Sequence, residues 1–469
     1  MYSVTRYHIT KAKYPQLFEY CSAMSAKSKL LRNATLFRMR QWFTAYGKDQ
    51  VQPNQKTVIN EVNRTMECTG RKKPGKVINY YFMEKLMRCT KNPDYSNGLP
   101  SQTAQWILKG VCFEFKAWLK GLEAYHKNPA GFTGKPEMPK YCRNDLHTFT
   151  ITNQECRIYT RENGSSYLHF PKTEETIDVI VPENAVLKEV KVIPYCGDFL
   201  IAVTFDNGKT VGERNAMFKA GIDLGVDNTA ALVINDGNKP VLYKGGALKA
   251  ENQFYNKNRA KYVGILMKGH KPGEVSLKTK MLASISKNRK FFMDDEMHKI
   301  SCHIVRECVK RNVGTIVIGK NRHWKNKSEM SKKSNQEFVQ IPHSTLIHMI
   351  RYKAEREGIR VIVHEESYTS KASFLDNDMI PVYDPEKHDE YRFSGRRISR
   401  GLYRSKNGTV ISADVNGGAN ILRKADPEAF EGMDVSILQE VKTVGFYDLH
   451  SCRPKKKDCS GRQVIRSNG

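Results

Sequence analysis

The sequence predicts a multidomain chain of mixed α/β and α+β class, with an α+β part first and an α/β part after it. Three observations carry that expectation. An alternating apolar and polar run through Tyr7, His8, Ile9 and Thr10 gives way to helical periodicity from about Leu17 to Lys127. A boundary rich in proline and glycine, at Pro129, Gly131, Gly134, Pro136 and Pro139, then introduces short strand-like runs. From Phe218 onward the pattern reads strand, strand, strand, helix, strand, helix, strand, helix.

The size fits several domains, since 469 residues allow roughly two to four by ordinary domain lengths. Hydrophobic residues make up 39% and aromatics 10%, enough apolar surface to offset the ordering entropy of folding. No run of about twenty apolar residues is present, and Met1 opens onto charged sequence without an apolar signal core. Membrane and secreted classes are therefore not expected, nor is a membrane partner. Lysine and arginine number 77 against 49 acids, a formal charge of +28 that repels itself unless a polyanion shares the surface. Basic residues interleaved with Tyr, Phe and Trp along the whole length point to nucleic acid. The eleven cysteines contain no CxxC pair, so they read as reduced thiols of a cytoplasmic protein, with no zinc or redox site.

Taken in order, residues 1–12 form a first strand that needs partners from elsewhere. Residues 13–128 form a helical domain. Within it, Ser101 after Pro100 resembles an N-cap for a helix burying Ala104, Ile107, Leu108, Val111, Phe115, Trp118 and Leu122. The polar side of that helix, with Gln102, Gln105, Lys109 and Lys116, reads as solvated. Residues 129–216 form a small β domain through runs at Phe149 to Thr152, Ile177 to Val181 and Phe199 to Val203. Recruiting the first strand to this domain would make the helical part an insertion.

Residues 217–445 carry the alternating half. Strands at Phe218 to Asp223, Thr229 to Asn235 and Pro240 to Tyr243 surround an Asp236-Gly237 hairpin turn. A helix burying Met297, Ile300, Ile304, Val305 and Cys308 precedes a strand at Thr315 to Ile318. A second helix starts near Ser344, a strand spans Arg360 to His364, and a last helix begins near Asp414. This is the element order of a ribonuclease H-like fold. Residues 371–410 form a basic insertion. Within it, Arg392, Arg396, Arg397, Arg400 and Arg404 are placed to follow a phosphate backbone. Residues 446–469 form a basic tail with Arg453, Lys455, Lys456, Lys457, Arg462 and Arg466.

Phosphodiester hydrolysis by two divalent cations roughly 4 Å apart needs carboxylates converging from separate elements. Asp223 ends the first strand of this half between Gly221 and Gly225. Glu365 follows the strand Val361-Ile362-Val363-His364. Asp414 lies at a helix start, where the positive helix end and nearby Asn416 and Asn420 help hold the site. Each acid alone would more often be a cap or a solvated charge. Together, at three matched fold positions in one basic chain, they point to metal. Asp227 and Glu366 are near alternatives, set aside because a side chain one residue beyond Glu365 points to the opposite face of a strand.

The segments Gly221-Ile222-Asp223-Leu224-Gly225-Val226-Asp227, Glu365-Glu366-Ser367-Tyr368-Thr369-Ser370-Lys371 and Asp414-Val415-Asn416-Gly417-Gly418-Ala419-Asn420-Ile421 resemble the three RuvC motifs of the transposon-encoded TnpB proteins, relatives of the type V CRISPR effectors. Ile316-Val317-Ile318-Gly319 and Phe338-Val339-Gln340-Ile341-Pro342 are also similar to that family. The resemblance is specific from Phe218 to about Lys424 and covers the first half only in general plan.

The resemblance implies a β-barrel-like wedge domain, an inserted helical recognition domain and a RuvC nuclease domain. It implies an RNA-guided DNA endonuclease whose partners are a guide RNA and a target double-stranded DNA, acting in a prokaryotic cytoplasm and at the nucleoid when bound. Mg²⁺, replaceable by Mn²⁺, would be held by Asp223, Glu365 and Asp414. Many relatives carry two CxxC zinc-ribbon pairs between the second and third motifs, whereas Ser367 to Ala413 contains no cysteine, so no zinc is expected. A CRISPR-associated effector of the same descent and an RNA-guided DNA-binding regulator with little cleavage stay open as alternatives.

Overall fold

The computed structural model describes residues 2–451 except 97, 183, 209, 213, 215, 272, 278, 322–339 and 383–390. Phe338 and Val339 of one family segment, and the tail residues Arg453, Lys455, Lys456, Lys457, Arg462 and Arg466, lie outside the described residues. The chain divides into two compact units, residues 1–210 and 211–469. Among the described residues no helix is long and apolar enough to cross a membrane.

In the first unit, β1 (Tyr2–Ile9) is followed by α1 (Pro15–Ala45), α2 (Pro53–Thr69), α3 (Tyr80–Cys89), the short α4 (Pro93–Ser96) and α5 (Ser101–Lys127). Six strands follow: β2 (Phe149–Thr152), β3 (Arg157–Thr160), β4 (Ser166–His169), β5 (Thr176–Val179), β6 (Val186–Tyr195) and β7 (Asp198–Asp206). β1 lies antiparallel to β7, from Tyr2 opposite Asp206 to Ile9 opposite Phe199. The sheet order is β1-β7-β6-β2, and β3-β4-β5 form a separate sheet. The described strands thus make two open sheets rather than the closed barrel the resemblance suggested. Helices and sheets share one core, in which Leu36, Met39 and Phe115 join Phe149, Phe199 and Ile201. The cap of α5 also differs from the local reading. Pro100 occupies the cap position, and the Glu155 carboxylate, from the β2–β3 turn, accepts from Gln102 N (2.7 Å) and Thr103 N (3.1 Å).

In the second unit, β8 (Phe218–Asp223), β9 (Asn228–Ile234) and β10 (Val241–Lys244) are successive antiparallel strands. Two long helices, α6 (Gly246–Met267) and α7 (Lys280–Lys310), lead to β11 (Val313–Gly319). The helix His343–Arg356 then leads to β12 (Arg360–His364). β11 runs parallel to both β8 and β12. A short sheet follows, of β13 (Arg396–Ser399), β14 (Leu402–Arg404) and β15 (Val410–Ser412), before the helix Ala413–Ala425. The last strand, β16 (Lys442–Val444), adds in parallel to β10, giving the order β12-β11-β8-β9-β10-β16.

Strand alternation decides which helix covers which face. Ala220 and Ile222 pack with Met297, Ile300, Ile304, Leu346 and Ile350 on one side. Gly221 and Asp223 therefore face the other side, where the helix Ala413–Ala425 lies. That contact is so close that a Cβ on Gly221 would overlap the carbonyl oxygen of Gly418. Because β8, β11 and β12 are mutually parallel, their carboxyl ends meet at one edge of the sheet, a recurrent place for functional groups in such sheets.

Candidate functional site

Asp223 sits at that edge on the last residue of β8, facing the first turn of the helix that carries Asp414. Gly417, one turn beyond Asp414, makes the approach feasible, since a Cβ there would stand 2.5 Å from Asp223 Oδ2. Asp414 is oriented by Asn228, whose Nδ2 donates to its Oδ2 at 2.6 Å. The intervening β8–β9 loop is fixed by the buried His343, whose Nε2 donates to Gly225 O at 3.0 Å.

The third expected acid, Glu365, and its neighbour Glu366 lie in different surroundings. Strand β12 ends at His364, and the chain enters a turn in which Tyr368 takes a left-handed φ of 67°. Strand alternation no longer governs Glu365 and Glu366. Glu365 turns to Lys424, whose buried ammonium donates to its Oε2 (2.5 Å), to Ser367 O (2.9 Å) and to Pro381 O (3.1 Å). Its Oε1 accepts from Ser367 N at 2.7 Å. Glu366 instead lies over the end of β11, where a Cβ on Gly319 would overlap its Oε2. That oxygen is enclosed without a hydrogen-bond partner.

The electrostatics separate the acids in the same way. Burial, then the charges of Glu366 and Asp414, push the Asp223 carboxyl well above its usual range, with Arg397 acting in the opposite direction. Burial, then the charge of Glu365, pushes Glu366 up to about 7. For Glu365 burial acts upward too, but the hydrogen bonds from Lys424 and Ser367 outweigh it and hold the group below the usual range. Asp223 thus feels the charges of Glu366 and Asp414, while Glu365, bonded to the Lys424 ammonium, acts on Glu366.

Asn416 and Asn420 tie their helix to the loop after Glu366. Asn416 Oδ1 accepts from Phe374 N (2.9 Å) and its Nδ2 donates to Ala372 O (2.8 Å). Asn420 Nδ2 donates to Thr369 O (2.9 Å) and Ala372 O (2.7 Å). Asn321, which sequence reasoning did not single out, accepts from Glu366 N at 3.1 Å. Asp227 stays outside the set, bound by Lys249 (2.6 Å) and by Arg400 (2.6 Å) of the β13–β14 turn. In the stretch where relatives carry cysteine pairs, this small sheet rests on buried Tyr403, Ile411 and Ala413, with Tyr403 Oη donating to Lys371 O at 2.7 Å.

A divalent cation suits this donor set: hard carboxylates, one with an enclosed oxygen lacking a partner, of which Glu366 packs against Gly319 and Asp223 against Gly417. Among the described residues only Asp295, Glu296 and His450 present three ligand atoms all within 4.8 Å. There Lys299 Nζ stands 2.8 Å from His450 Nε2 and 3.5 Å from Glu296 Oε1, an ammonium in the place a metal would take.

The described geometry can be set beside known proteins. Residues 205–325 match the sequence pattern of the probable transposase family, and residues 343–421 match the Cas12f1-like TNB domain. A TnpB-like protein, ORF457 of Acidianus two-tailed virus, is 25% identical over 211 residues, 44% of this chain and 41% of that relative. This chain therefore spans less than half of that relative's length. A Cas12f1–sgRNA–target DNA complex solved by cryo-EM is 12% identical, covering 88% of this chain and 84% of that one, with a TM-score of 0.50. The mini RNA-guided endonuclease CRISPR-Cas phi3 is 10% identical over 91% of this chain and 92% of that one, with a TM-score of 0.40. The fold is thus a mixed α/β multidomain architecture resembling the Cas12 effectors. In sequence the chain is similar to a TnpB-like protein and to two stretches of transposase and Cas12f1-like type, the resemblance its motifs implied.

Proposed function

We propose that this chain is an RNA-guided DNA endonuclease of the TnpB type, cutting at one RuvC-like site formed by Asp223, Glu366 and Asp414. The observation that carries the reading is the convergence of three like-charged carboxylates at the carboxyl edge of β8, β11 and β12, one with a partnerless enclosed oxygen. The strand order β10-β9-β8-β11-β12, three antiparallel strands followed by two parallel ones, supports the ribonuclease H-like assignment. The excess of basic residues and the Cas12f1-like fold support a guide RNA and target double-stranded DNA as partners.

Mg²⁺ or Mn²⁺ held by Asp223, Glu366 and Asp414 would supply an activated water and neutralise charge on the scissile phosphate. Asp223 and Asp414 face each other across the sheet–helix contact and set the width of the site. Asn228 fixes the Asp414 carboxylate, and Asn321 fixes the backbone of Glu366. Lys424 keeps Glu365 turned away.

Cleavage of a guide-matched duplex, measured beside its binding by gel shift, tests the assignment. Alanine at Asp223, Glu366 or Asp414 is expected to abolish cutting while guide-dependent binding persists, because recognition rests on pairing and backbone contacts. A double substitution should be hardly worse than a single one. Glu365→Ala is expected to retain cutting. If Glu365→Ala abolishes cutting and Glu366→Ala does not, Glu365 is the ligand; if all variants cut normally, the RuvC-like site is refuted.

A further inference from the structure

The face of α5 that the core does not use carries a second set of groups, in the unit without the carboxylate site. Ala104, Ile107, Leu108, Val111 and Phe115 already fill the inner side of the helix. On the outer side, Trp106 is 40% and Phe113 is 61% exposed, and Tyr81 on neighbouring α3 is 69% exposed. These rings belong to one patch. Lys109 Nζ stands 4.9 Å from the Tyr80 ring centre and 5.4 Å from that of Trp106, and the Tyr80 and Tyr81 ring centres are 5.3 Å apart. Phe113 follows Lys109 by four residues, which puts it on the same face one turn on. Between Trp106 and Phe113 lies Gly110, where an added Cβ would meet nothing within 4 Å. A cavity of about 400 Å³ opens beside it, lined by Trp106, Gly110 and Glu114 with Arg32.

Three large aromatics exposed together need a partner to cover them. The charge around them says which. The nearby acids are engaged, Glu84 with Arg88 and Glu114 with Arg32 at 2.6 Å. Among the described residues no carboxylate lies within 4 Å of Lys109 Nζ, so the ammonium sits between rings without a counter-ion. A second copy of the chain would set one +28 charge against another. Flat rings around a cation instead match the faces of nucleobases and the phosphates that join them. Seven residues of helix separate Trp106 from Phe113 by about 10 Å, the length of about three stacked nucleotides.

We propose that Tyr81, Trp106, Lys109 and Phe113 form a base-stacking platform for a short unpaired stretch of nucleic acid. Trp106 and Phe113 bracket the bases across the Gly110 gap, and Lys109 takes the phosphate between them. Binding here is independent of the nuclease reading, because it involves no residue of the carboxylate site and its assay needs no cutting.

The experiment compares labelled single strands of about twelve nucleotides with abasic strands of the same phosphate number, by fluorescence anisotropy on the full chain in EDTA at raised salt. RNA and DNA versions distinguish the two sources of unpaired bases, and tighter binding of either base-bearing strand over its abasic counterpart supports the platform. Trp106→Ala is expected to weaken base-bearing strands at least about fivefold, the stacking contribution of one base, and to leave abasic strands unchanged. Trp106→Phe should restore most of the loss. Lys109→Ala should weaken both kinds of strand and lower the salt slope by about one. Equal affinity of the unaltered chain for base-bearing and abasic strands overturns the proposal, as does an unchanged Trp106→Ala variant. A fall in particle mass by light scattering in Trp106→Ala, without loss of base-bearing affinity, would assign the patch to self-association instead.

Discussion

Adjacent glutamates of the same chemistry end in opposite electrostatic states here. Glu365 is held ionised by Lys424, whereas burial and then a neighbouring charge oppose the anion at the other two, Glu365 acting on Glu366, and Glu366 and Asp414 acting on Asp223. An acid whose folded pKa lies above its unfolded value loses stability as pH rises past the unfolded value, so ionised Asp223 weakens the metal-free fold at neutral pH. Asp223→Asn is therefore expected to raise Tm in EDTA. Millimolar Mg²⁺ should raise the Tm of the unaltered chain, by the equivalent of about 2.7 kcal/mol at a hundredfold excess over Kd, and should do little for the variant. A lower Tm for Asp223→Asn in EDTA, or an equal Mg²⁺ effect on both, would contradict the repulsion at Asp223. The positions of Asp223 and Asp414 were legible in the sequence because a strand end and a helix start are local features. The orientation of Glu366 was not, since the rule that successive residues alternate stops holding where β12 ends at His364. The available signal was Gly319, a missing side chain at the end of the neighbouring parallel strand, which leaves the room Glu366 fills.

Elements dock in this fold through a few buried polar links as well as through apolar faces. Asp236, in the β9–β10 hairpin, accepts from Arg311 Nε at 2.6 Å, just past the end of α7, and a second bond from Arg311 Nη2 makes the pair bidentate. The side chains are only 3% and 8% exposed. Burial alone would raise the Asp236 carboxyl, but the bonds from Arg311 and Asn238 outweigh it and hold the group below its usual range. Such a depressed acid contributes stability above its unfolded pKa of about 3.9, and the contribution fades as pH falls through the lower folded value. Asp236→Asn should accordingly cost about 3–5 kcal/mol at pH near 7. Urea midpoints of both proteins should converge in strong acid; a constant difference would show that packing, not charge, sets the loss. The same contrast between local and distant causes explains which elements were legible. β8, β11 and β12 announce themselves as apolar runs, whereas β3 and β13 are short and largely exposed and carry no such signal. The cap of α5 was misread at Ser101 for the same reason, because Glu155 lies 53 residues away from Gln102.

At the scale of the whole molecule, a formal charge of +28 opposes compaction in both units, and nothing in the core packing removes that repulsion. A bound polyanion would, which ties stability to a partner rather than to the chain alone. The proposed guide RNA should therefore leave a signature in the salt dependence of unfolding that differs in sign between the two forms. Without RNA, added salt screens the self-repulsion and Tm should rise. With RNA bound, salt weakens the complex through counter-ion release, so the extra stability that RNA confers should shrink and Tm should fall toward the free value. The measurement is a pair of thermal melts over a salt series, before and after nuclease treatment of the purified protein, with the released RNA sequenced. One discrete structured RNA and two converging curves are expected. Curves that coincide at every salt concentration, or release of only random fragments, would mean that the basic surface serves a transient nucleic-acid partner and that no resident guide stabilises the fold.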